Sequence, residues 1–199
     1  NAEARGTGGL LGGFGILRAE DGTARVDTLG SNSDLDFAEQ PIDLGPECNA
    51  LWGPRNTTVD FRNSNASPHF PYAGQIWSSM WTEQTGEQLD GAIATDPIAL
   101  SYILDATGPI TLPDGEVISS DNVVEVTLST AYARFGDDQL ARKAYLQEIA
   151  AAVVNEMTTG VAPTRELLDA VGMAREDLII HVHQGREIGI YSNQEYSED

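Results

Sequence analysis

Two of the three Asp-Gly dipeptides, each lying between two β-forming segments, place the strongest local constraint on how this chain folds. The first, at residues 21–22, joins the β-rich runs 10–18 and 24–31, and the second, at 114–115, divides residues 109–118. Asp-Gly accepts the positive φ angles of a tight turn at little steric cost. Both segments are therefore predicted to form antiparallel β-hairpins.

The segments between and after these hairpins carry helix signals. An amphipathic helix is predicted over residues 72–85, with Gly86 as its stop. Asp96 and Pro97 begin a second helix, and Gly108 ends it.

Longer helices are predicted on either side of Gly136, over residues 121–135 and 138–157. The expected inner stripe of the second comprises Leu140, Ala144, Ile149, Ala152 and Val153. A short helix over residues 164–171 and a strand over 178–183 complete the prediction.

Because helices alternate with strands, we expect an α/β class, with α+β left open, in which helices flank a central mixed β-sheet. A length of 199 residues with 41% apolar content suits one domain spanning residues 1–199. No apolar run approaches the roughly 18 residues that a membrane span needs. Since the chain begins at Asn1 rather than Met, we expect it to be part of a longer protein whose membrane anchor lies outside this sequence.

Charge and cysteine content exclude several functions. The 31 acidic residues outweigh 11 basic ones, for a net charge of −20, and Lys143 is the sole lysine. Without a basic stripe, nucleic acid is not an expected partner. The single Cys48 excludes an internal disulfide and a thiolate metal cluster.

The polar stretch 32–71 is long for a loop, so we interpret it as a lid or a binding loop. Its candidate ligand-binding residues are Asn32, Asn65 and His69. The glycine-rich run before Gly15 permits close approach of either a neighbouring backbone or a ligand. Arg5, beside that run, is the candidate anion clamp.

Candidate catalytic residues surround the break at Gly136, namely Arg134, Asp137, Asp138 and Arg142. One interpretation is an ordinary surface pair between Asp138 and Arg142. The other is that arginine forks grip a phosphate or pyrophosphate while Asp138 holds a divalent metal, expected to be Mg²⁺. His181 and His183 fall on the same side of the last strand, where a structural role is favoured over a metal pair.

Several short motifs together resemble the bacterial, largely actinobacterial, envelope family named domain of unknown function 4012. They lie at residues 1–9 (NAEARGTGG), 30–34 (GSNSD), 67–71 (SPHFP), 89–97 (LDGAIATDP), 107–109 (TGP) and Asn122. The resemblance implies an extracytoplasmic, membrane-anchored cell-envelope protein, but no established activity.

A more distant similarity is to the LytR-CpsA-Psr transferases, through residues 90–109 and 132–146. These enzymes move glycopolymers from a polyprenyl pyrophosphate carrier onto the cell wall with a divalent metal. The similarity implies that Arg5, Arg134 and Arg142 stabilise pyrophosphate charge. It also implies that Asp137 or Asp138 holds Mg²⁺ or deprotonates the acceptor hydroxyl.

Two functions follow as hypotheses. The leading one is an envelope domain that binds an isoprenoid-linked or glycan phosphate between the glycine-rich strand, the Asn-rich stretch and Arg134, and that acts as a glycopolymer phosphotransferase if it is catalytic. The rival is a non-catalytic scaffold or glycan-binding module. An apolar tunnel lined by Tyr72, Trp77 and Trp81 would favour the first, and a sealed core there the second.

Overall fold

A computed structural model describes residues 5–7, 9–20, 23–159 and 179–182. The strands are β1 (Gly13–Glu20), β2 (Thr23–Ser31), β3 (Gly91–Ala94), β4 (Ile110–Thr111), β5 (Val117–Ile118) and β6 (Ile179–Val182). The helices are α1 (Pro46–Trp52), α2 (Phe70–Thr85), α3 (Pro97–Thr107), α4 (Val123–Glu125), α5 (Ala131–Phe135) and α6 (Gln139–Thr159). A π-helical turn, Val126–Thr130, joins α4 to α5, and 3₁₀ turns occupy Gly53–Arg55 and Phe61–Asn63.

The strands within these described ranges form three antiparallel pairs, β1–β2, β3–β6 and β4–β5. Both predicted hairpins are confirmed, because β1 pairs with β2 and β4 with β5 in antiparallel register. The expected central mixed sheet is not what these strands form. The mixed α and β class holds, and antiparallel pairing favours α+β.

Local stop and start signals act as predicted. Asp96 Oδ1 accepts hydrogen bonds from the amides of Ile98 (2.9 Å) and Ala99 (3.0 Å), which caps α3. Gly86 ends α2 in the left-handed conformation, with φ 77°, and Gly136 separates α5 from α6 with φ 51°. The helix predicted over residues 164–171 lies outside the described residues.

The larger hydrophobic core packs α6 against α3, α4 and the β4–β5 hairpin. It contains Ile103, Leu104, Ile110, Leu112, Ile118, Val123, Val126, Ala131, Tyr145, Ile149 and Val153. The predicted inner stripe of α6 is wrong at Leu140, which is 82% exposed, and at Ala144, which is also exposed. Leu140 lies in the first turn of α6, beyond the elements that cover Ile149 and Val153.

A second core forms around α2, where Phe61, Ile76 and Met80 are buried. The polar stretch 32–71 packs on this core and contains α1 and both 3₁₀ turns, with irregular backbone between them. Its function as a lid or a binding loop stays a prediction. Thr57, Ser64, Asn65 and Ser67 within it are buried. Within the described part of the chain, no helix has the length and apolarity needed to cross a membrane.

Candidate functional site

Arg5 and the glycine-rich run are held by the Asn-rich stretch. Arg5 Nη1 lies 3.5 Å from Asn63 Oδ1, and the amide of Thr7 donates to the carbonyl of Asn65 at 3.3 Å. The fully buried Asn65 side chain donates from Nδ2 to the carbonyls of Thr7 (3.3 Å) and Gly9 (2.8 Å). Asn65, predicted to bind a ligand, thus clamps one segment of the backbone onto another.

Gly6 lies directly against the backbone of this stretch. A Cβ atom at Gly6 would fall 2.3 Å from the carbonyl carbon of Ser67 and 2.5 Å from the nitrogen of Pro68. No side chain fits at such a distance, so glycine is required here for packing. The sequence left open whether the glycines admit a neighbouring backbone or a ligand, and at Gly6 it is a neighbouring backbone.

Asn32 and Ser33 meet Lys143 of α6 at the end of β2. Lys143 Nζ donates to Asn32 Oδ1 at 2.8 Å and to Ser33 Oγ at 2.6 Å. Asn32 is buried, and its Nδ2 donates to the carbonyl of Leu11 at 2.7 Å. We call Lys143, Asn32 and Ser33 the Lys143 site.

The ammonium of the Lys143 site has only neutral partners among the described residues. Its hydrogen bonds end on an amide oxygen and a hydroxyl, and it makes no ion pair with a described carboxylate. Lys143 is half-buried, so its charge remains open to an anion in a chain of net charge −20. Lys143 was not among the candidate residues predicted from the sequence, although its being the sole lysine was a usable signal.

Arg134 forms a bidentate ion pair with Glu116 of the β4–β5 hairpin. The two hydrogen bonds measure 2.6 Å and 2.8 Å, and the guanidinium carbon lies 5.0 Å from the centre of the Tyr145 ring. Tyr145 also donates its hydroxyl to Glu116 Oε2 at 2.9 Å. The planar fork of Arg134 is thus used to join the hairpin to α5 and α6.

The electrostatics of this cluster follow from its geometry. The hydrogen bonds from Arg134 hold the pKa of the Glu116 carboxyl below its ordinary value, and the same carboxylate raises the pKa of Arg134. Burial, followed by the hydrogen bond to Glu116, raises the pKa of the Tyr145 hydroxyl. All three groups therefore keep their usual charge states at neutral pH.

The other predicted catalytic residues lie at the break between α5 and α6. Arg142 Nη1 donates to the carbonyl of Gly136 at 2.9 Å, and its guanidinium lies 4.5 Å from the centre of the Tyr132 ring. Asp138 Oδ1 accepts from the amide of Ala141 at 3.0 Å and so caps the start of α6. The expected Asp138–Arg142 side-chain pair does not form among these contacts, and Asp137 is exposed.

The three arginines have different partners, because Arg5 contacts Asn63, Arg134 pairs with Glu116 and Arg142 binds the Gly136 carbonyl. The exposed His69 precedes α2, and its ring lies 4.7 Å from that of Tyr72. No cluster of three or more metal-ligating side chains occurs in the described ranges, which leaves Asp138 as an untested Mg²⁺ ligand. The side chains of His181 and His183 lie outside the described residues.

The tryptophan face of α2 packs into the second core. Trp77 lies 6.1 Å from Phe61 and 5.5 Å from Phe70 between ring centroids, and its Nε1 donates to Ser64 Oγ at 2.6 Å. Trp81 packs on Phe14 at 5.8 Å. Trp77 and Trp81 are half-buried, and their rings pack on other aromatic side chains.

The fold and these contacts define a mixed α and β domain with a lysine-centred polar junction. Residues 1–132 match the family model described as "Protein of unknown function (DUF4012)". The chain therefore belongs to the DUF4012 family, as its motifs indicate. Asn32, Asn65 and His69 lie inside the matched residues, whereas Arg134 and α6 lie beyond them. No curated protein and no solved structure matches the chain significantly.

Proposed function

We propose that this chain is a non-catalytic glycan-binding module of the bacterial cell envelope, with a membrane anchor outside residues 1–199. Its extracytoplasmic placement rests on the envelope character that its family motifs imply. The ligand is a glycan that carries phosphate or carboxylate groups, and it binds at the Lys143 site.

One observation carries the proposal, namely that, among the residues the structure describes, the Lys143 ammonium is bound only by neutral oxygens. Asn32 fixes the ammonium in place, because its own amide is anchored on the carbonyl of Leu11. Ser33 is exposed and Lys143 half-buried, so an arriving anion can reach both. A lysine attracts phosphate as a point charge, and a serine hydroxyl adds a donor once it turns toward the anion.

The packing of the tryptophan face supports a module without carrier-lipid chemistry. A polyprenyl chain needs an apolar tunnel, and Trp77 and Trp81 are instead packed on Phe61, Phe70 and Phe14. The arginine expected to grip pyrophosphate, Arg134, already has both fork nitrogens on Glu116. A phosphotransferase of the LytR-CpsA-Psr type, with Mg²⁺ on Asp138, would require pyrophosphate to displace that carboxylate.

The decisive experiment is a thermal-shift titration with a phosphate-bearing glycan oligomer and with the same oligomer after dephosphorylation. At about 100 times its dissociation constant, a ligand stabilises a protein by roughly 2.7 kcal/mol, or about 5–10 °C for a domain of this size. We expect that rise with the phosphorylated oligomer only. It should disappear in Lys143→Gln and persist in Arg55→Gln, which removes one positive charge at an exposed residue elsewhere.

A soluble polyprenyl pyrophosphate, with and without Mg²⁺, forms the second arm of the titration. A Mg²⁺-dependent rise that is lost in Arg134→Ala would overturn the proposal in favour of the phosphotransferase. Equal loss of the glycan response in Lys143→Gln and Arg55→Gln would instead show attraction to overall charge, and would also overturn it.

A further inference from the structure

A groove between β2 and α6 lies apart from the contacts of the Lys143 site. It is lined by Leu29 of β2, by residues of α6, and by Phe135 and Asp114. The groove has a volume of about 630 Å³, which is within the range of pockets that hold small ligands or several side chains.

The floor of the groove is apolar and exposed. The Leu29 side chain is 41% exposed to solvent, and Phe135 is only half-buried. On α6 the lining side chains include Ala141, Ala144 and Ala151, whose small size leaves space above the helix. The lining residues of α6 extend from Ala141 to Ala151, which is ten residue steps or roughly 15 Å at the rise of an α-helix.

The charged residues that line the groove are acidic. They are Asp114 and Glu148, and none of the lining residues that the structure describes is basic. Asp114 Oδ1 accepts from the amide of Glu116 at 2.9 Å, which fixes that carboxylate at its end of the groove. A second copy of this chain, with net charge −20, would be repelled here, whereas a cationic segment is attracted.

We infer that this groove docks an amphipathic helix of about three turns from a partner protein, with an apolar face flanked by Lys or Arg. The apolar face would cover Leu29 and Phe135, and the basic residues would meet Asp114 and Glu148. Helix-in-groove recognition of this kind uses apolar anchors at helical spacing, with charge setting the partner and orientation. The inference goes beyond glycan binding and does not depend on it.

The test uses fluorescence anisotropy with two synthetic 14-residue helical peptides that share a leucine face and carry either Lys or Glu on the polar face. Measurements at about 0.15 M salt suppress long-range attraction to the acidic chain. We expect the Lys peptide to bind and the Glu peptide to bind at least about tenfold more weakly. Ala144→Gln, which fills the groove, should weaken the Lys peptide about tenfold, whereas Ala133→Gln, at an exposed position outside the groove, should not.

Charge reversal separates docking from general attraction. Glu148→Lys should weaken the Lys peptide about tenfold, and Asp105→Lys, an equal change at an exposed position on α3, less than about twofold. Equal weakening by both reversals, or no effect of Ala144→Gln, would overturn the inference. So would sedimentation showing a dimer that Ala144→Gln dissociates, because the groove would then bind a second copy.

Discussion

Glu116 and Arg134, eighteen residues apart in the sequence, lie side by side with two parallel hydrogen bonds of 2.6 Å and 2.8 Å. The pair ties the β4–β5 hairpin to α5, next to the long helix that completes the larger core. Arg134, which lies in a motif that suggests anion binding, is therefore already paired with a carboxylate of the protein.

The first prediction concerns the pH dependence of this pair. Because Arg134 lowers the pKa of Glu116 from its ordinary 4.5, the charged carboxylate stabilises the folded state. That contribution is complete above the ordinary pKa and is lost as the pH falls through the lowered one. Glu116→Gln should therefore lower the Tm by about 2–4 °C at pH 7 and by progressively less in acid.

Thermal unfolding of wild type and Glu116→Gln between pH 7 and pH 3, followed by circular dichroism, checks this prediction. The difference between the two proteins matters, because the many other carboxylates change the stability of both. A difference in Tm that stays constant across the whole range would show that the charge of Glu116 contributes nothing.

The second prediction concerns the contact of Gly6 with the backbone at Ser67 and Pro68. A methyl group there meets backbone atoms at 2.3–2.5 Å, so the segment must shift. Gly6→Ala should cost about 1–3 kcal/mol in the free energy of unfolding. Gly12→Ala is the matched control, since its Cβ would meet nothing within 4 Å. Urea unfolding curves would measure the stability of both variants. Equal midpoints for Gly6→Ala and Gly12→Ala would disprove the contact.

The third prediction separates the two faces of α6. Ile149 is fully buried, so Ile149→Ala should cost about 2–5 kcal/mol through lost burial and the cavity left behind. Leu140 is 82% exposed, and Leu140→Ala should change stability by less than about 0.5 kcal/mol. A large loss of unfolding free energy for Leu140→Ala in denaturant titrations would show that Leu140 is buried, as the sequence predicted.

The fourth prediction concerns the thiol of Cys48. It is only 4% exposed, and burial raises its pKa, so little of the reactive thiolate is present and reagents have poor access. At pH 8 the native protein should react with an aromatic disulfide reagent at least about tenfold more slowly than the protein in guanidinium chloride. Similar rates in the two states would place Cys48 at the surface.

Much of the local structure was predictable because its signals extend over only a few residues. The Asp114-Gly115 turn, the Asp96 cap and the glycine that ends α2 each set backbone angles or local hydrogen bonds within one turn of the chain. The family was likewise indicated by short motifs in order, which the match over residues 1–132 confirms.

The sites depended on contacts between distant parts of the chain. Lys143 meets Asn32 across 111 residues, and Arg134 meets Glu116 across 18. A sequence pattern shows which side chains can bind an anion, but not which of them are already bound by a carboxylate or an amide. Here the motifs determined the hairpins, the helix ends and the family. Tertiary packing alone decided that Arg134 is paired with Glu116 while Lys143 contacts neutral oxygens within the described part of the chain. Partners far apart in sequence become neighbours only when the cores form.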